Sequence, residues 1–199
     1  MNNYFLISVK DMPEMASAFA PEGTKLAHEL IIELDNVQEL PFEFELIKLS
    51  IDKGELVENN NLAGLNKIWL DYQPNSLAWP LFSEKLKTII VNNLTGKEGI
   101  NWITAKVNGD NEQRIYYIPR FEKMLDVLDA QKTVYIKGCN YVIRPCFSLK
   151  KINNYSIFHQ PDNYDFWKIT SGLYVNEMVK KTIQKEKLIG INFEKVLVS

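Results

Sequence analysis

The sequence is poor in the residues that most chemistry needs. It has two histidines, two cysteines and nine scattered glycines. No apolar run exceeds a few residues, the longest being of the kind Tyr4-Phe5-Leu6-Ile7 or Leu30-Ile31-Ile32. A membrane-spanning helix needs about 20 consecutive apolar residues, so no span is expected. Met1 to Lys10 lack the basic start and small-residue cleavage site of a signal peptide and read as an opening strand, so a cytoplasmic location is expected. Cys139 and Cys146 stand seven apart. That is neither a CxxC redox pair nor half of a zinc pattern, and both are expected as free thiols in or beside a strand. The scattered glycines form no phosphate-binding loop, and GxSxG, HExxH and EF-hand patterns are missing. No cofactor or metal is therefore expected.

Any histidine chemistry must use His28 or His159. His159 has Asp162 and Asp165 close in sequence, which leaves a small enzyme built on these three as an alternative. No second His or Cys converges on it, and beside Pro161 it reads as a surface or turn residue. Ser83 is better explained as a helix cap than as a nucleophile. Asp126 and Asp129, three apart, suit capping or surface roles better than a catalytic pair. The chain is not expected to be an enzyme.

The net charge of −2 argues against nucleic-acid binding, which needs a positive surface to displace phosphate counterions. The charge is uneven: from Glu29 to Glu58 nine acidic residues face only Lys48 and Lys53, whereas Arg144 to Ser199 carries nine basic residues against five acidic ones. Such polarity can steer a charged partner.

What is present suits a globular protein. Apolar residues make up 46% of the 199, charged residues 24% and aromatics 12%, enough for a sizeable core. No Gly-, Ser- or Pro-rich linker divides the chain. A single domain over 1–199 is expected, with a possible strand-rich subdomain over 1–75 and a remainder of different character over 75–199.

The fold class expected is α+β. Residues 29–35 alternate apolar and acidic and read as a strand, broken in phase only by Ile31. Residues 42–51 read as a second strand whose apolar phase switches at Ile47, as a bulge near Leu46-Ile47 would cause. Ser83 caps a helix with Glu84 in its first turn and an apolar stripe of Leu86, Ile89 and Ile90, ending between Asn93 and Gly96. A hairpin follows, with strands over 100–107 and 113–118 and Asn108-Gly109 as a type I′ turn. Strand-like sequence then runs to Leu149. A last helix spans about 176–187, and a strand over 189–198 closes the chain.

The two helices head similar units. Ser83-Glu84-Lys85-Leu86-Lys87 matches Asn176-Glu177-Met178-Val179-Lys180, and Gly99-Ile100-Asn101-Trp102 matches Gly190-Ile191-Asn192-Phe193. Two helix-then-strand units packed into one domain are expected, with Trp102 and Phe193 turned inward.

The run Trp79 to Leu86 followed by Gly99-Ile100-Asn101-Trp102 resembles the central block of immunity protein family eleven of bacterial polymorphic toxin systems. Leu125-Asp126-Val127-Leu128-Asp129 is similar to the family's next segment. Ile157-Phe158, the helix over 176–187 and Gly190-Ile191-Asn192-Phe193 are similar to its close. The resemblance covers about residues 75–199 and carries no catalytic residue; the family's tryptophan-x-tryptophan feature is not intact, Trp69 and Trp79 being ten apart. It implies a cytosolic protein that blocks a cognate toxin by direct binding.

Partner contacts are expected from two sources. Glu29, Glu33, Glu43 and Glu45 form an acidic sheet face suited to a basic groove, and Trp69, Tyr72 and Trp167 lie in loop-like sequence where large aromatics anchor partners. A structural interaction module with a housekeeping partner is the remaining alternative.

Overall fold

A computed structural model describes residues 3–12, 14–162 and 164–199. Met1 and Asn2 of the expected opening strand lie outside the described residues. The strands are β1 (Tyr4–Val9), β2 (Glu14–Phe19), β3 (Phe44–Asp52), β4 (Glu55–Asn59), β5 (Ile100–Gly109), β6 (Glu112–Phe121), β7 (Val134–Tyr135), β8 (Val142–Arg144), β9 (Ile157–His159), β10 (Leu173–Asn176) and β11 (Ile191–Lys195). The helices are α1 (Ala27–Glu33), α2 (Glu84–Asn93), α3 (Leu149–Ile152) and α4 (Glu177–Lys185). The fold is α+β. One sheet runs β11-β1-β10-β9, a second runs β2-β3-β5-β6 with β4 also on β3, and β7-β8 form a ribbon of their own.

Residues 29–35 do not form the expected strand. Residues 29–33 belong to α1 and 34–35 to the turn that ends it, with Leu30, Ile31 and Leu34 buried at helical spacing and Ile32, which alternation would bury, 67% exposed. The out-of-phase Ile31 was the helical signal. Glu29 Oε2 accepts the Leu26 N–H at 3.0 Å, satisfying a free donor at the helix start.

β3 forms as expected, but without the bulge. Its pairing with β2 runs unbroken from Glu14↔Ser50 to Phe19↔Glu45. The apolar phase switches because Phe44 and Leu46 turn into the core while Ile47, Leu49 and Ile51 occupy the opposite, more open face.

α2 is as the sequence reads it: the Ser83 hydroxyl oxygen accepts the Leu86 N–H at 3.3 Å, and Leu86, Ile89 and Ile90 are buried. The Asn176 side chain caps α4 in the same way, accepting the Val179 N–H at 2.9 Å. The two helices pack on each other, but the strands after them join different sheets, β5 the second and β11 the first. Trp102 and Phe193 are half-buried against the same apolar cluster.

The hairpin β5–β6 forms, with its turn two residues later than expected. Asn108 pairs Gln113 and Gly109 pairs Glu112, which leaves Asp110 and Asn111 as the turn, at φ of 52° and 59°. Two positive φ values define type I′, and Asp and Asn tolerate them better than other non-glycine residues. Gly109 serves a different purpose: a Cβ there would lie 2.7 Å from Leu46 Cδ1. It lets the hairpin tip lie directly on β3, where Phe44 and Glu45 pair in parallel with Val107 and Asn108.

Two apolar clusters fill the molecule. One holds Ile7, Phe121, Phe158, Val175 and the buried faces of α2 and α4; the other holds Phe44, Ile103, Val107, Ile118 and the buried face of α1. The first 75 residues are divided between the sheets, because β1 pairs with β10 and β11. The segment from Leu70 to Ser83 threads between the clusters, giving Tyr72 and Phe82 to one and Trp79 and Leu81 to the other.

Candidate functional site

The close contact at Gly109 sets the tip of the β5–β6 hairpin beside the start of β3 and forms an open groove of about 710 Å³. Leu46, Ile47 and Leu62 give it an apolar component; Glu45, Asp110 and Glu112 give it three carboxylates, and no Lys or Arg lines it. The carboxylates beside the groove are positioned by amides. Asn108 Nδ2 donates to Glu43 at 2.9 Å and to Glu45 at 2.8 Å, while Gln113 Nε2 donates to Glu43 at 3.1 Å and to Asn108 Oδ1 at 2.8 Å. Lys106 lies farther along β5, 2.7 Å from Glu39 and 4.0 Å from Glu43. The hydrogen bond to Glu39 holds its ammonium pKa above the ordinary value.

On the core-side face of the sheet, β6 presents a second set of side chains. Glu112 accepts from Arg114 Nη2 at 2.8 Å and Nε at 3.1 Å, and the Arg114 guanidinium lies 4.5 Å from the centre of the Trp69 ring. Trp69 in turn stacks on Tyr116 at 6.4 Å. The Tyr116 hydroxyl donates to Leu70 O at 2.8 Å, and burial raises its pKa. A second cavity of about 450 Å³ opens here between Trp69, Arg114, Ile115 and the start of α2. Trp and Arg are enriched among the residues that dominate binding energy at protein interfaces, and here the two form a cation–π pair.

The sequence candidates thus separate. Trp69 stands on the core-side face of the second sheet with Arg114 and Tyr116, whereas Glu43 and Glu45 stand on its outer face beside the groove. Glu29 and Glu33 do not share a sheet face with them: both stand on α1, Glu29 bonded to the Leu26 N–H and Glu33 paired with Lys25. Tyr72 is no partner contact. It is 2% exposed and meets Phe82 edge-on at 4.9 Å, because the chain folds back between them in an antiparallel bridge. Trp167 is half-buried, stacked on His159 at 5.6 Å.

His159 is not a surface or turn residue but the end of β9, fully buried. Its Nδ1 lies 2.9 Å from Gln160 O, and its Nε2 lies 3.2 Å from both the Leu125 N–H and Lys123 O, so backbone groups alone surround the ring nitrogens. Burial holds its pKa below the ordinary 6.5. Asp165 pairs with Lys168 at 3.0 Å, and Asp162 is exposed. Asp129 takes a capping role, accepting the Gln131 N–H at 2.9 Å and the Ser199 hydroxyl at 2.7 Å; the latter does most to lower its pKa. Cys139 is exposed, Cys146 buried, and both are free.

Two polar residues escaped the sequence reading. Arg114 lines the second cavity and pairs with Glu112 of the first, and only its place two residues from Glu112 on a strand, which sets both on one face, hinted at the pairing. Glu98 is a fully buried carboxylate in the loop after α2; its position between Gly96 and Gly99 was the available signal. The chain matches no protein-family model, and no curated protein sequence matches it.

Proposed function

We propose that this chain is an immunity protein that neutralises a cognate toxin in the cytoplasm by binding it directly. The observation that carries the reading is the groove at the β5–β6 tip, where Glu45, Asp110 and Glu112 stand beside Leu46, Ile47 and Leu62, and where amides hold Glu43 and Glu45. It combines fixed carboxylates with an apolar component, elements of a protein interface. Neutralisation by occlusion needs only such a surface, and the resemblance to immunity protein family eleven supports the same reading. Full burial of His159 weighs against an enzyme in which that imidazole meets substrate.

The acidic groove calls for a basic partner, and complementary charge acts mainly on the association rate. The test is Glu43→Lys with Glu45→Lys, measured against the toxin encoded beside this chain at low and high salt. The association rate at low salt should fall by about tenfold or more, and the difference should shrink as salt screens it. An unchanged rate and salt dependence refutes the acidic groove as the binding surface. Failure of the unaltered chain to protect cells expressing that toxin refutes the function itself.

A further inference from the structure

The β7–β8 ribbon is a further surface that the described residues leave unpartnered. Its strands pair only with each other, and Ile136 N–H donates to Tyr141 O at 2.8 Å to close the tip. At its base the Thr133 hydroxyl donates to Cys146 O at 3.1 Å and accepts the Cys146 N–H at 3.2 Å. Val142 packs inward on the first apolar cluster, whereas Val134, Ile136, Tyr141 and Ile143 are exposed. From Ala130 to Pro145 the chain carries Lys132, Lys137 and Arg144 and no acidic residue. Exposed apolar side chains this concentrated mark a docking surface. Pairing of two such ribbons would oppose like charges, so the occupant must bring carboxylates beside an apolar surface.

The groove at the β5–β6 tip has that chemistry. It offers Leu46, Ile47 and Leu62 beside Glu45, Asp110 and Glu112, without a cation, and no ribbon residue lines it. The groove is built on the second apolar cluster and the ribbon is rooted in the first. We propose that the β7–β8 ribbon of one copy docks into the β5–β6 groove of a second copy, with Ile136 and Tyr141 on the apolar side and Lys137 against Glu45 and Asp110. The two surfaces differ, so the contact is head-to-tail and leaves a free groove at one end and a free ribbon at the other. A ribbon tip is a small contact beside the roughly 800 Å² per partner of stable complexes, so the association is weak. A groove so occupied is closed to any other basic partner.

The test uses the purified chain alone and is independent of any toxin. Sedimentation velocity over rising concentration should show self-association that weakens in about 1 M salt, where the Debye length is about 3 Å. Lys137→Glu and Glu45→Lys should each abolish it; Lys137→Gln and Glu45→Gln should each weaken it. An equimolar mixture of the two charge-reversed chains should associate again, because it contains one intact ribbon and one intact groove. A wild-type chain that stays monomeric to millimolar concentration overturns the proposal. So does association that survives Glu45→Lys, which would mean ribbon–ribbon pairing, or a mixture that fails to recover. A monomeric chain that binds phosphatidylserine vesicles through Lys137 assigns the ribbon to lipid and also overturns it.

Discussion

Replacing Glu98 tests how the loop after α2 is held. Its side chain is 1% exposed yet accepts three backbone N–H groups, of Ser156 at 3.0 Å, Lys97 at 3.0 Å and Thr95 at 3.1 Å, and lies 3.0 Å from the Thr95 hydroxyl. The Thr95 hydroxyl oxygen lies 2.7 Å from Asn154 O as well, so the network ties the end of α2 to the turn before β9. Glu98→Ala removes the acceptor and leaves three backbone N–H groups without it. Those of Thr95 and Lys97 sit on exposed residues and can take water, whereas Ser156 is buried and its N–H is left unmade. A hydrogen bond to a charged group is worth about 1.5–3 kcal/mol, and a stranded buried donor about 1–3 kcal/mol. Rehydration of two donors and release of the buried charge offset part of the sum, leaving an expected loss of about 2–5 kcal/mol. Glu98→Gln keeps the shape but turns an NH₂ group toward one set of N–H donors, for a loss of about 2 kcal/mol. Urea unfolding reads both. With a slope of about 2 kcal/mol per molar, the midpoint should fall by roughly 2 M for Ala and 1 M for Gln. Midpoints within about 0.3 M of the wild type in both variants would refute the idea that this carboxylate holds the loop.

Two further outcomes follow from the core. His159 is held neutral, so below about pH 6.5 the unfolded chain binds a proton that the native chain resists. Its contribution to stability is therefore complete above about pH 6.5 and is lost as pH falls from there through the lower native value; the urea midpoint should drop between pH 7 and 5, less steeply in His159→Gln, and an identical slope in both proteins excludes His159 as the source. Gly109→Ala would drive a methyl group into Leu46, and overpacking of this kind costs about 1–3 kcal/mol; an unchanged melting temperature, with the groove residues unshifted in a structure of the variant, contradicts the close approach that forms the groove.

The sequence by itself determined what lies within one turn or one hairpin. Ser83 and Asn176 announced α2 and α4, because capping joins residues only three apart, and the stripe Leu86, Ile89, Ile90 told which face is buried. The β5–β6 hairpin was legible from its alternation. Even there the turn was set by register: Asp110 and Asn111 take the positive φ values, while Gly109 answers to Leu46, which lies 63 positions back in the chain. α1 was misread because a seven-residue helix shows barely two turns of periodicity, and Leu30, Ile32 and Leu34 imitate a strand until burial separates them. Tyr72 and His159 look like loop residues in sequence, since nothing nearby foretells Phe82 folding back on one or Leu125 donating to the other. The groove is the same case. Glu43 and Glu45 alternate visibly, but their place beside Asp110 and Glu112 depends on a parallel pairing between β3 and β5 that only long-range packing decides.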